Sequence, residues 1–391
     1  MPNPKPSRKN LLIAFDAFGT LFTPRAPIGA LYGEIARKHG ICSDVSDEEI
    51  MRSFKKAYKH NATARPNFGK EVGMDPTAWW SSLITETFTP FLPSATTTTV
   101  PPALPHRLIP DLLTRFASRD GYTLYDDVVP LFTTLRAARN NTNTTTTTTA
   151  AAAAAATRRP RRKIVTAVLT NSDDRVAGIL RSFGLRVGHT DPKTVERMMV
   201  VVGAAAGRAE APVMEAPLGG KKEEKEKNVE EGKEGREEGG EESLGDGDSD
   251  NDIDFVLTSY DCGYEKPHRA MFDAARRLAV ARYGADRGRG RDRAGRVVVG
   301  EEEAEAEAED GSGGGDDGFG EWEAVYVGDE VDKDVVGAEN AGWAPAFLVD
   351  REGLLGDAAG GVVTRRDVGG HGEKEVRVLR DLRELQSYVL G

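Results

Sequence analysis

Four places in this chain put a chemically capable side chain directly after, or within a few residues of, an apolar run. Asp16 follows the run 11–15, Thr170 and Asn171 follow 164–169, Lys266 comes shortly after 255–257, and Asp329 with Asp334 follows 324–327. Ligands of an open parallel sheet bind beyond the carboxyl ends of its strands, so residues placed this way can share one site. Singly, each has an ordinary explanation: Asp16 and Asp329 suit turns or helix N-caps, and Thr170 suits the cap of a following helix. Together they set three carboxylates and one ammonium at one sheet edge, which repel or desolvate badly unless a cation and an anionic ligand complete the group. A hard divalent ion with oxygen ligands, together with a phosphate, meets that demand.

The elements that must position these residues can be read from hydrophobic period. The run 11–15 is continuously apolar and closed by Asp16 and Gly19, the pattern of a strand buried on both faces of a parallel sheet. Ile28, Leu31, Tyr32, Ile35 and Ala36 then fall on one helical stripe that stops at Gly40. Ile50, Phe54 and Ala57 mark a second helix over 47–58, and a turn at Pro66 to Gly69 leads to a third helix carrying Trp79, Trp80, Leu83, Ile84 and Phe88. Such a run of helices, between one buried strand and later βα units, predicts a helical domain over 24–120 inserted into a core of 1–23 plus 121–391. Further helices are expected over 128–138, 174–183, 269–283, 333–340 and 376–390, and strands over 164–169, 255–257, 324–327 and 346–349. The expected fold class is α/β, a Rossmann-like three-layer core around a parallel sheet.

Three stretches do not fit any packed element. The tract 140–157 is almost entirely Asn, Thr and Ala, 219–250 is a Gly-rich mixture of charges, and 284–323 is dominated by Arg/Gly and Glu/Ala/Gly runs. Such compositions bury too little apolar surface to offset ordering entropy, so insertions over 140–163, 203–250 and 285–322 are expected to be disordered. A stray strand at 297–299 is expected inside the last of them. The chain of 391 residues thus leaves about 250 for packed structure.

Composition excludes several classes of function. The formal charge of −11 argues against nucleic-acid binding, which draws most of its affinity from a basic surface. No run approaches the roughly 18 apolar residues of a membrane span. The two cysteines, Cys42 and Cys262, form neither a disulfide framework nor a zinc spacing, and the six histidines show no ligand spacing. An intracellular monomer in the cytoplasm or nucleus is the expectation. The basic cluster 158–163 has the composition of an import signal and equally of a loop flank. Trp79 and Trp80 are expected to pack the helical insert.

In their order along the chain these features resemble the haloacid dehalogenase superfamily. Phe15-Asp16-Ala17-Phe18-Gly19-Thr20-Leu21 is similar to its first signature, Leu169-Thr170-Asn171-Ser172-Asp173 to the second, Gly263-Tyr264-Glu265-Lys266-Pro267 to the third, and Gly328-Asp329-Glu330-Val331-Asp332-Lys333-Asp334 to the fourth. Ala36-Arg37-Lys38-His39-Gly40, Pro66-Asn67-Phe68-Gly69 and Trp79-Trp80 are similar to one subgroup, the haloacid dehalogenase-like hydrolase domain-containing protein 3 group. The resemblance implies a helical cap closing over the site. It implies catalytic roles for Asp16 as nucleophile, Thr170 and Lys266, and phosphate or substrate binding by Thr170, Asn171 and Lys266. It also implies Mg²⁺ held by Asp16, the Phe18 backbone carbonyl, Asp329 and Asp334.

One residue departs from the pattern. Phosphatases of that superfamily carry a second Asp two positions after the nucleophile, as general acid and base, and here that residue is Phe18. Such help is typically worth 10² to 10⁴ in rate, so two alternatives to a small-molecule phosphatase stay open. One is a binding or regulatory protein with weak or no turnover. The other is a 2-haloacid dehalogenase, whose leaving halide needs no proton, although those enzymes work without metal and generally lack the acidic pair found here at Asp329 and Asp334.

Overall fold

The structure, a computed structural model, describes residues 9–92, 103–143, 162–205, 250–284, 319–353, 363–367 and 373–390. The expected stray strand at 297–299, and most of the three insertions and of the basic cluster, lie outside the described residues.

A seven-stranded sheet forms the centre, in the order β5-β4-β1-β6-β7-β9-β8. Its strands are β1 (Asn10–Phe15), β4 (Ile164–Thr170), β5 (Phe255–Thr258), β6 (Trp322–Gly328), β7 (Ala346–Val349), β8 (Val363–Asp367) and β9 (Glu373–Leu379). Every pairing is parallel except β8 with β9. In β1, Leu11, Ile13 and Phe15 enter one core and Leu12 and Ala14 the other. That is the both-face burial the run 11–15 predicts, and it makes β1 the middle of a three-layer α/β sandwich. Helices α5 (Val128–Asn143), α6 (Arg175–Ser182) and α9 (Glu384–Leu390) supply the first face, through Phe132, Ile179 and Leu385 among others. Helix α8 (Arg269–Tyr283) covers the second with Met271, Phe272 and Leu278. Because β1 is flanked by β4 on one side and β6 on the other, the strand order reverses there, and a crevice opens beyond its carboxyl end.

Between β2 (Phe22–Pro24) and β3 (Tyr122–Leu124), which pair antiparallel with Pro24 opposite Tyr122, the chain builds a helical layer. It comprises α1 (Ile28–Lys38), α2 (Asp47–Ala64), α3 (Pro76–Phe88) and α4 (Leu108–Arg115). Ser46 starts α2 with a capping box to Glu49, and Asp75 caps α3 ahead of Pro76, so both starts follow ordinary N-terminal chemistry. Tyr32, Phe54, Phe88 and Phe116 fill the space between these helices.

Several expectations need correction. The segment 376–390 is not one helix: Val376 and Val378 are buried either side of exposed Arg377, a period of two, so the chain forms strand β9, then a turn, then α9. Helix α5 runs beyond 138 into the Asn/Thr tract, anchored by Leu131, Phe132, Leu135 and the buried Arg139–Asp254 pair at 2.7 Å. An unexpected helix α7 (Pro192–Ala205) follows Asp191, whose carboxylate accepts from the backbone N–H groups of Lys193 and Thr194. In place of an ordinary helix over 333–340, a π-helical turn Val331–Val336 leads into Gly337–Asn340. Cys42 and Cys262 are both free thiols. Among the described residues no helix is long and apolar enough to cross a membrane.

Candidate active site

The acidic residues arrive at the crevice on short, sterically special turns. Asp16 leaves β1 with its backbone N–H donating to the Val327 carbonyl at 2.9 Å, so the ends of β1 and β6 are tied together. Gly19 follows at φ +74°, and a Cβ there would lie 2.0 Å from Oδ2 of Asp329. At Gly328 a Cβ would meet Cγ of Asp334 at 2.2 Å. These glycines are required because carboxylates occupy the space a side chain would take. Asp334 is turned inward by the π-helical segment and accepts from the Glu330 N–H at 2.9 Å. As a result Asp16, Asp329 and Asp334 each offer an oxygen within 4.8 Å of the others.

Lys266 binds the cluster together. Its Nζ lies 2.8 Å from Asp16 Oδ1 and 2.7 Å from Asp334 Oδ1, and donates to the Tyr326 hydroxyl at 2.9 Å. Tyr326 passes its own hydrogen to the Leu169 carbonyl at 2.8 Å. Two of the three ammonium hydrogens are thus donated, to Asp334 and Tyr326, and the contact with Asp16 is an ion pair. Burial works against the Lys266 charge, yet Asp16 and Asp334 outweigh it and hold the group protonated well above the usual lysine range. Burial raises the Asp16 carboxyl; Lys266 opposes that rise and Asp334 adds to it. Asp329, farther from the ammonium, is pushed up to about 7 by burial and by the charges of Asp16 and Asp334. Among the described residues its carboxylate accepts a long contact from Thr20 Oγ1 at 3.4 Å. One cation against three carboxylates leaves a deficit of positive charge, and a hard oxygen-ligand cation fits it.

The other expected site residues divide. Thr170 ends β4, is buried and lines the cavity, and its hydroxyl has no partner among the described residues. Asn171 also lines the cavity, but its side chain is committed elsewhere: Oδ1 accepts from the Lys266 N–H at 2.7 Å and Nδ2 donates to the Lys266 carbonyl at 3.0 Å. It fixes the backbone of the lysine. The Phe18 ring packs edge-on to Phe22 and Tyr122 at centroid distances of 4.8 and 5.6 Å. The bridge joining Phe18 to Phe22 runs through the Gly19 N–H and the Ala17 carbonyl and does not use the Phe18 carbonyl.

Above the carboxylates lies a cavity of about 600 Å³. Asp16, Thr170, Lys266 and Asp329 line it on the side of the sheet, and aromatic side chains of the helical layer line it opposite. The layer is tied to the sheet by polar contacts. Trp80 Nε1 donates to Asp173 at 2.7 Å, and the same carboxylate holds Arg175, whose guanidinium stacks 4.3 Å from the Trp80 ring. Asn67, in a left-handed conformation with φ 45°, exchanges two hydrogen bonds of 2.8 Å with Ser259.

Tyr326, Arg175 and Asn67 were not among the expected site residues. Tyr326 carries a polar tip in the fully buried part of strand β6, and a buried tyrosine hydroxyl normally needs a partner. Arg175 and Asn67 carry no comparable signal.

No family model matches the chain. It is 22% identical over 336 residues to an uncharacterized hydrolase of Schizosaccharomyces pombe, covering 86% of this chain and 89% of that protein. It is 36% identical over 77 residues to the haloacid dehalogenase-like hydrolase domain-containing protein 3 of Xenopus tropicalis, covering 20% of this chain and 40% of that protein. Among solved structures it is similar to a HAD-hydrolase of Bacillus subtilis bound to magnesium, with a TM-score of 0.43 and 11% identity, covering 98% of this chain and 100% of the other.

Proposed function

Since this chain belongs with the haloacid dehalogenase-like hydrolases, we propose that it hydrolyses a small phosphorylated compound through Asp16 as nucleophile with Mg²⁺ bound. The observation that carries this reading is the meeting of Asp16, Asp329 and Asp334 within 4.8 Å, with Lys266 against two of them. The helical layer over the cavity acts as a cap in this proposal, and a space of about 600 Å³ suits a small molecule.

Each residue then has a physical task. Asp16 must attack as a carboxylate, and the ammonium at 2.8 Å favours that form against burial. Thr170 offers its hydroxyl to a phosphoryl oxygen. Lys266 holds Asp16 and Asp334 apart from each other's charge, and reaches a phosphoryl oxygen by exchanging one of its three partners. Asn171 keeps the lysine in place by binding its backbone. Asp16, Asp329, Asp334 and the Phe18 carbonyl would hold Mg²⁺, which supplies charge screening for the transferring group.

The proposed chemistry is tested by Asp16→Asn, which removes the nucleophile and retains the volume. Mg²⁺-dependent phosphate release from a panel of phosphorylated metabolites should disappear; release at the unmodified rate rejects the mechanism. Phe18 favours a second reading, a binding protein with little turnover, whose signature is Mg²⁺ binding with no release from any compound. A 2-haloacid dehalogenase has weaker support, because Asp329 would then remain without the cation its surroundings call for.

A further inference from the structure

Two features of the cavity bear on the leaving group, and neither involves the carboxylates. The first is the wall facing Asp16. Phe68, Trp80 and Phe116 present ring surface there, and Tyr32 and Tyr122 are only 3% and 5% exposed yet line the same space. Their hydroxyls have no hydrogen-bond partner among the described residues, and burial keeps both protonated, Tyr122 being pushed up to about 12. This chamber takes a flat, apolar group and offers it two polar points. The second feature is Phe18, which leaves no side chain at that position to protonate a departing oxygen.

Both point to the same chemistry. An alkoxide must be protonated as it leaves, because its parent alcohol has a pKa near that of bulk water, about 15.7. A phenol lies near 10, as the tyrosine side chain does. The difference of roughly six units exceeds what a general acid supplies, typically 10² to 10⁴ in rate, so an aryloxide can depart unaided.

We propose that the substrate is a small aryl phosphomonoester, its ring held in the aromatic chamber between Phe18 and the helical layer; this rests on the phosphohydrolase reading above. An Asp16 oxygen bonds to phosphorus as the phosphorus–aryl oxygen bond breaks, and the aryloxide leaves with the electron pair. Water then attacks phosphorus, the bond to Asp16 breaks and the carboxylate is restored. The proton lost by water goes to the aryloxide, giving phenol and hydrogen phosphate.

The test compares phenyl phosphate, 4-nitrophenyl phosphate and ethyl phosphate with the intact chain and Mg²⁺. Their binding to the Asp16→Asn variant is read by quenching of tryptophan fluorescence, since Trp80 faces the cavity. The expected result is phosphate release that rises steeply with leaving-group acidity, a kcat/KM for phenyl over ethyl phosphate of at least about 10³, and binding of phenyl phosphate about 10- to 100-fold tighter, from burial of the ring. Ethyl phosphate cleaved or bound as well as phenyl phosphate overturns the inference and leaves the Asp16 mechanism standing. Release from none of the three, with phenyl phosphate still bound at least tenfold tighter, supports the ligand class and overturns the hydrolytic reading instead. Equal binding of all three, or of none, overturns the aryl preference whatever the turnover.

Discussion

Replacing Lys266 by Met tests the electrostatic core of the site without asking for a substrate. The substitution keeps the length and most of the volume of the side chain, and Lys266 is only 3% exposed, so packing changes little. What it removes is the ammonium at 2.8 Å from Asp16 and 2.7 Å from Asp334. Breaking a buried ion pair by deleting one partner costs about 3–5 kcal/mol, because the remaining charge stays desolvated. For a folded region of this size each kcal/mol moves the melting temperature by about 2–4 °C, which gives a drop of about 6–20 °C. Asp16 and Asp334 hold Lys266 protonated above the usual lysine range, so the ammonium is fully charged at the pH of the assay. Thermal melts of both proteins in chelator at pH 8 read the effect, and Mg²⁺ should recover part of it by supplying positive charge to the same carboxylates. A variant melting within 2 °C of the parent protein in chelator would show that the ammonium is not their counter-charge.

Four further outcomes follow from the same geometry. Asp329 must lose its proton to ligate a cation, so Mg²⁺ affinity measured by calorimetry should weaken as pH falls through about 7; affinity flat from pH 5 to 8 removes Asp329 as a ligand. The sign for folding is opposite: the carboxyl is raised above its unfolded value, so metal-free stability should decline as pH rises from about 4 to about 7, and denaturant melts in chelator check it. Phe18→Asp should accelerate release from alkyl phosphates by about 10² to 10⁴, with far less effect on 4-nitrophenyl phosphate, as steady-state rates will show. Asn171→Ala deletes two hydrogen bonds to the Lys266 backbone, at 2.7 and 3.0 Å, and should lower stability by about 1–3 kcal/mol in urea melts and reduce Mg²⁺-dependent turnover.

The residues that meet at the sheet edge were legible because each follows an apolar run, and runs buried on both faces are the plainest signal a parallel strand gives. Asp16, Lys266 and Asp334 could be gathered on that ground alone, and the structure brings them into contact. Other parts were hidden for identifiable reasons. Strand β9 carries only Val376, Val378 and Leu379 as buried apolar residues, too short a sample to separate a period of two from helix. Strands β2 and β3 are three residues each, and their pairing depends on a partner about a hundred positions away. The two hydrogen bonds of the Asn171 amide to the Lys266 backbone are not legible in the sequence, because a motif states which residue is present and not where its amide points. The part played by Tyr326 is hidden because a ring in a buried strand reads as packing, whereas its hydroxyl accepts from the ammonium.

The ladder that sets Pro24 against Tyr122 brings the start and finish of the helical segment side by side. A gene spliced at those two codons could exchange everything between them for a different segment, and the strands bearing the acidic residues would keep their registers. Under the function proposed above, the part that chooses a ligand and the part that acts on it would lie in separable stretches of DNA.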